Sequence, residues 1–208
     1  MAEEPDLSLV VFKQSIRECA RANRIAQPGK DHLSRIICRA LAELPEYAAA
    51  RSILFYVDIR AEVRTQHFLP TAIADGKQVV VPYCSAGRLE LFRLKSMDEL
   101  AAGSYQILEP RPELRCQSQR RIPIDQVDLV IVPGVAFDRD GARLGHGQGY
   151  YDRLLAGARR QTPRIALAFE CQIFPTLPTA HHDVPMHVIV TERAIYRVGQ
   201  TPVPLASQ

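Results

Sequence analysis

Short, continuously apolar runs alternate along this chain with stretches of helical spacing. The first stretch, Leu9 to about Ile25, puts Val10, Phe12 or Lys13, Ile16 and Ala20 at helical intervals, with Lys13, Arg17, Arg21 and Arg24 on a shared face. Pro28-Gly29 breaks it. A second helix is predicted from Asp31, as N-cap, to Leu44, with Leu33, Ile36, Ile37 and Leu41 as its apolar stripe. The pattern then changes. Ser52–Val57, Gln78–Pro82, Asp128–Val132, Arg164–Phe169 and His187–Val190 lack the polar alternation of a half-solvated strand and read as strands buried on both faces. Arg88–Leu94 alternates and reads as an edge hairpin partner. Helices are expected over Thr65–Ala74, where Pro70 limits the start, and Tyr150–Arg160.

Strands of this kind separated by helices predict an α/β fold, a mostly parallel sheet with helices on both faces. Ligands of such sheets lie beyond the carboxyl ends of the strands. The segments after Val57, Val81, Val132, Phe169 and Val190 are therefore where chemistry is expected. The 208 residues suffice for one buried domain spanning 1–208, with about 1–7 and 200–208 expected to be flexible. No repeat or low-complexity block interrupts it.

Charge narrows the partners. A net +3 suits a small anionic ligand and falls short of a nucleic-acid footprint, and the aromatic–basic interleaving of an RNA platform is missing. The arginine-rich segment Arg111–Arg121 is expected to be a solvated loop. Five cysteines without C-x-x-C spacing argue against a disulfide framework and a structural zinc site. His181, His182, His187 and Asp183 form a loose cluster, but neighbouring histidines point to different sides. An acidic N-terminus and the lack of an apolar run of about 20 residues point away from a signal peptide and a membrane span, so the cytoplasm is the expected compartment.

After the third buried strand comes Pro133-Gly-Val-Ala-Phe-Asp138, then Gly141-Ala-Arg143-Leu-Gly145-His-Gly147-Gln-Gly149-Tyr-Tyr151-Asp152. Three glycines at alternate positions let main-chain N–H groups approach a ligand, and the loop leads into a helix start, where free N–H groups favour phosphate. Arg143 is placed to add a charged fork. By themselves the glycines leave a phosphate loop and a tight structural turn equally open, and neither the Walker nor the Rossmann spacing is present. Asp152, in the first helical turn, reads either as a charge favoured by the helix dipole or as a Mg²⁺ ligand.

The stretch Val132–Leu155 resembles the signature of the 5-formyltetrahydrofolate cyclo-ligase family over nearly every fixed position. The resemblance extends to Lys13 and Arg17, Glu62-Val-Arg-Thr65, Gly76-Lys77 through Pro82, Glu109-Pro110, Gln172 through Asp183, and Val190-Thr-Glu192. It implies a three-layer fold like that of the NagB/RpiA/CoA-transferase group. It also implies conversion of 5-formyltetrahydrofolate to 5,10-methenyltetrahydrofolate with ATP and Mg²⁺, through phosphorylation of the formyl oxygen and ring closure by N10. By the same resemblance, Lys13, Arg17 and the run Arg143, Leu144, Gly145, His146, Gly147, Gln148, Gly149, Tyr150 and Tyr151 hold ATP. Arg143 and Asp152 are catalytic, and Asp152 and Asp183 bind the metal. The substrate lies against Val57, Glu62 and His146 through Tyr150.

Each position has a plainer alternative. Lys13 and Arg17 also suit a solvated helix face, Asp183 a turn, and Val57 and the tyrosines a core. Gln148 departs from the Lys that many relatives carry there. The expected partner is a folate with a polyglutamate tail, bound by a monomer with no nucleic-acid or membrane partner. A paralogue with another substrate or no turnover, and a non-enzymatic nucleotide or folate binder, stay open at this stage.

Overall fold

The computed structural model describes residues 7–103, 107–180 and 183–205. Helices α1 (Leu7–Ala26), α2 (Lys30–Ala42) and α3 (Pro45–Ala49) precede the first strand, β1 (Ser52–Leu54). Helix α4 (Leu69–Ala74) leads to β2 (Gln78–Ser85) and β3 (Arg88–Leu94), then β4 (Leu100–Ala102), β5 (Leu108–Pro110) and the single turn α5 (Pro112–Arg115). The second half runs β6 (Leu129–Val132), β7 (Ala136–Asp138), β8 (Arg143–Leu144), α6 (Tyr150–Leu155) and β9 (Arg164–Leu167). It ends with β10 (Ile173–Phe174), β11 (Val188–Val190), β12 (Ala194–Arg197) and β13 (Val203–Pro204).

The main sheet has the order β13-β12-β11-β9-β6-β1-β2-β3. Its centre, β11, β9, β6, β1 and β2, is parallel, whereas β3, β12 and β13 pair antiparallel at the edges. Successive side chains of the central strands point to opposite faces, and both faces are covered. Leu129 and Ile131 meet Ile37, Leu41, Phe55 and Leu69 from the α2–α4 side, while Val130 and Val132 meet Val127 and Leu155 on the other. This double burial is why β6 reads as an unbroken apolar run. A second, three-stranded sheet, β10-β7-β8, carries its own small core of Val135, Ala136, Leu144 and Leu177 against Ile16 and Ala20 of α1.

Several boundaries differ from expectation, each for a local reason. Helix α2 is capped by Gly29 in the left-handed region (φ 64°), so Asp31 lies in the first turn. Strand pairing in β1 stops at Leu54, although Phe55 N still donates to Val80 O (2.9 Å). Beyond it Asp58 Oδ1 accepts from Gln66 N (2.8 Å) and bends the chain away. Helix α4 begins only at Leu69, after a turn in which Leu69 N bonds Thr65 O. Helix α6 ends at Leu155, where the bonds tighten to Gly157 N→Leu154 O and Ala158 N→Leu155 O. At the C-terminus, β13 pairs with β12 as an edge strand; 1–6 and 206–208 lie outside the described residues.

Helix α1 buries only part of its expected stripe. Val10, Val11 and Phe12 are exposed, whereas the basic face turns inward with Ile16 and Ala20, and Arg24 is only 4% exposed. The segment Arg111–Arg121 is only partly the solvated loop expected: Arg111 and Arg121 are exposed, but Arg115 and Arg120 turn inward. Arg120 is buried, paired with Glu99 and stacked over Phe92 at 4.7 Å; Arg115 binds Glu109 at 3.0 Å and lies over Tyr83. Among the described residues no helix is long and apolar enough to cross a membrane, and the five cysteines are free thiols.

Candidate active site

Beyond the carboxyl ends of β1, β2 and β6 lies a cleft of ≈ 410 Å³, the place the parallel topology favours. One wall is the glycine-rich loop between β8 and α6. Asp138, 2% exposed, anchors its base: Oδ1 accepts from Asp140 N (3.0 Å) and Ala142 N (2.9 Å), and Oδ2 from Leu177 N (2.8 Å). Gly147 (φ 101°) and Gly149 (φ 63°) occupy backbone regions closed to most L-residues. Among the described residues, the amides of His146, Gly147 and Gln148 donate to no acceptor. Helix α6 has six residues rather than the eleven expected, so its dipole is small. An anion held here would depend mostly on the loop amides and the nearby guanidinium groups.

Arg17 supplies one such group. Its Nε donates to Gly145 O (2.9 Å), its guanidinium lies beside Gly147, and it lines the cleft. Partial burial lowers its pKa, with Arg21 acting the same way and Asp183 opposing. Arg153 donates to Gln148 O (2.9 Å) and stacks on Tyr150 at 5.1 Å, bracing the loop's far end.

Arg143 is placed differently from expectation. Its Nη2 donates to Asp152 Oδ1 (2.6 Å), and Nη1 reaches Pro133 O (3.4 Å). The fork expected for phosphate instead holds Asp152, which also receives Val184 N at 3.4 Å. Both residues line the cleft, with Leu144 and Gly145 through Tyr151. Lys13 and Asp183 do not line it. They pair with each other across 2.7 Å at its flank, where Asp183 Oδ2 also accepts from Ala180 N. His181 and His182 lie outside the described residues. His187 sits at the opposite end of the sheet, with Arg164 N donating to its Nδ1 (3.0 Å).

The facing wall comes from the chain after β1 and from β2, β3 and β5. Val57 and Glu62 line it, as do Tyr56, Tyr83, Cys84 and Glu109, of which the first three carry no local sequence signal. Glu62, 6% exposed, accepts from Ile59 N at Oε2 (3.0 Å), and its Oε1 faces His146 Nε2 at 3.4 Å. Tyr150 OH lies 3.9 Å from Cys84 Sγ and closes the rim; that contact raises its pKa. Tyr151 is half-buried, its hydroxyl is buried without a partner, and burial, then Glu62, pushes its pKa up. Asp138 and Arg24 complete the residues that sequence reasoning gave no role. Asp138 stood within the glycine-rich motif, where an Asx turn was its available signal.

The donor set admits a divalent ion of one kind. Among the described residues no three His, Cys, Asp or Glu side chains gather as a cage. Asp152 offers a carboxylate to the cleft with Oδ1 engaged and no described partner at Oδ2. Mg²⁺ needs just one or two carboxylates when phosphate oxygens and water complete its shell.

The model of the 5-formyltetrahydrofolate cyclo-ligase family matches residues 11–192. A Schizosaccharomyces pombe protein named a probable 5-formyltetrahydrofolate cyclo-ligase is 31% identical over 80% of this chain and 87% of its own length. The 5-formyltetrahydrofolate cyclo-ligase of Escherichia coli K12 is 30% identical over 73% and 84%. The solved structure of Aquifex aeolicus 5,10-methenyltetrahydrofolate synthetase superposes with a TM-score of 0.79 over 95% of this chain and 97% of its own, at 30% identity. Sequence match, shared architecture and a loop with free amides all lead to one assignment: the chain belongs to the 5-formyltetrahydrofolate cyclo-ligase family.

Proposed function

We propose that this chain converts 5-formyltetrahydrofolate and ATP into 5,10-methenyltetrahydrofolate, ADP and phosphate, with the glycine-rich loop holding the triphosphate and Glu62 holding the pterin. The carrying observation is that the two half-sites meet: His146, in the loop, faces Glu62 across 3.4 Å. A triphosphate on the loop and a folate on Glu62 would share one cleft.

The chemistry asks for such adjacency. A formyl oxygen leaves poorly. Transfer of the γ-phosphoryl group to it makes a leaving group, N10 then forms a bond to the same carbon and gives up its proton to solvent, and the C–O bond breaks to release phosphate. No protein nucleophile is required, so positioning and charge stabilisation carry the rate. The amides of His146, Gly147 and Gln148, with Arg17, hold the phosphates. Lys13 swings to them from Asp183. Arg143 fixes Asp152, which would supply a carboxylate to Mg²⁺, with Asp183, paired with Lys13 at the flank of the cleft, as the second acidic group; the ion would neutralise charge on the phosphate oxygens. Glu62 accepts from the pterin N–H edge, Val57 lies along the ring, and Tyr150 covers it. Tyr151 backs Arg143 at 6.0 Å.

The test mixes the purified chain with 5-formyltetrahydrofolate and MgATP and follows methenyl absorbance alongside ADP. Equal amounts of both products are expected. ATP binding without methenyl formation would refute the reaction and leave a nucleotide binder.

A further inference from the structure

Arg24 is a buried cation that the reaction above does not use. It sits on the inward face of α1, 4% exposed; Nη1 donates to Gly134 O (3.2 Å), and Nε is buried with no partner. Arg24, Glu62, Tyr56 and Gln172 line a small pocket directly behind the wall of the cleft. Gln172 is spent on Gly134 O, Val135 O and Phe169 N, and Tyr56 OH on Val63 O. The carboxylate opposite, Glu62, is itself buried, with one amide donor and one imidazole nearby. Two buried opposite charges lining one small pocket compensate each other, and neither is stable there alone. The pKa of Arg24 agrees in direction: burial lowers it, and Glu62 is the first group that raises it.

We infer that Arg24 is a positioning residue for Glu62, holding the carboxylate's charge and aim from behind so that its outer edge is presented to the substrate. The inference rests on Glu62 as the pterin acceptor. It ties α1 to both halves of the reaction: Arg17 serves the nucleotide and, two turns on, Arg24 serves the folate.

The test is a double-mutant cycle of Arg24→Gln and Glu62→Gln, with Arg24→Lys as the conservative change. Arg24→Gln is expected to raise the KM for 5-formyltetrahydrofolate about tenfold, the order expected of a charged acceptor losing its orientation, with the KM for ATP unchanged. Arg24→Lys is expected to recover most of that loss, and Arg24→Gln to add little in the Glu62→Gln background. Equal rises in both KM values, or additive losses in the cycle, would overturn the inference and make Arg24 a packing residue. A Glu62→Gln variant with an unchanged folate KM would overturn the pterin-acceptor reading itself, and this inference with it. Should Arg24→Gln fail to fold, Arg24→Met, which keeps the length of the side chain without its charge, carries the same comparison in the two Glu62 backgrounds.

Discussion

Replacing Asp152 separates its hold on Arg143 from its work in the reaction. The pair spans 2.6 Å, with the Arg143 side chain 4% and the Asp152 side chain 20% exposed. Stripping one partner from a fully buried pair costs about 3–5 kcal/mol; because Asp152 reaches solvent, about 2 kcal/mol is expected for Asp152→Ala. At about 2–4 °C per kcal/mol for a chain this size, Tm falls by about 4–8 °C and the protein stays folded. Asp152→Asn keeps an acceptor for Arg143 and should lose about half of that. Activity separates the two roles. If Asp152 holds the metal as proposed, an amide cannot replace its carboxylate charge, so both variants should lose about 10²–10³ in kcat while the folate KM stays near that of the parent. Initial rates of methenyl formation across a Mg²⁺ series, with calorimetric Tm, measure both effects. An Asn variant within about threefold of parental kcat, with the same Mg²⁺ dependence, would refute the assignment.

Other outcomes follow from the same geometry. Gly147→Ala introduces a methyl that meets only the Arg17 guanidinium, at 3.8 Å, so its cost is backbone strain of about 1–3 kcal/mol at φ 101°. The loop should relax out of position and raise the ATP KM about tenfold or more without changing the folate KM, as steady-state kinetics would show. Gln148→Lys adds a cation beside the free amides while leaving the Arg153 bond to Gln148 O intact; the ATP KM should fall severalfold, and the gain should shrink as salt is raised. An ATP KM indifferent to this change would count against phosphate at that position. His187 has its pKa lowered, first by burial and then by Arg164. Its contribution to stability is therefore complete above its ordinary 6.5 and lost as pH falls below it, so Tm should drop between about pH 7 and 5 by less in His187→Gln than in the parent.

What the sequence revealed depended on how local the cause was. Strands β2 and β6 were legible because burial on both faces leaves an uninterrupted apolar run. The glycine-rich loop was legible because its backbone demands are written in its own residues. The three-stranded sheet was not, since strands of two or three residues have no period to detect. Helix α1 misled for a deeper reason. Four basic residues at helical spacing look solvated until the elements that bury them are in place, and those lie far along the chain: Gly145 is 128 residues from Arg17, and Gly134 is 110 from Arg24. The same distance hid the facing of Glu62 and His146, 84 residues apart, and the pairing of Lys13 with Asp183. Arg143 was expected to point at phosphate, and its actual partner, nine residues on, depends on where α6 begins.

The separate small core beneath α1 sets a hierarchy of openings. That helix packs on the turn Glu170–Gln172 and, through Ile16 and Ala20, on the β10-β7-β8 layer, whose small core is separate from the two large clusters that sandwich the main sheet. Its amides should therefore exchange with solvent through a partial release that leaves β6 and β9 closed. Whatever the glycine loop and Arg17 grip together then acts as a clasp, and its binding energy would register first as slowed exchange in the leading helix, before any rise in the global melting point.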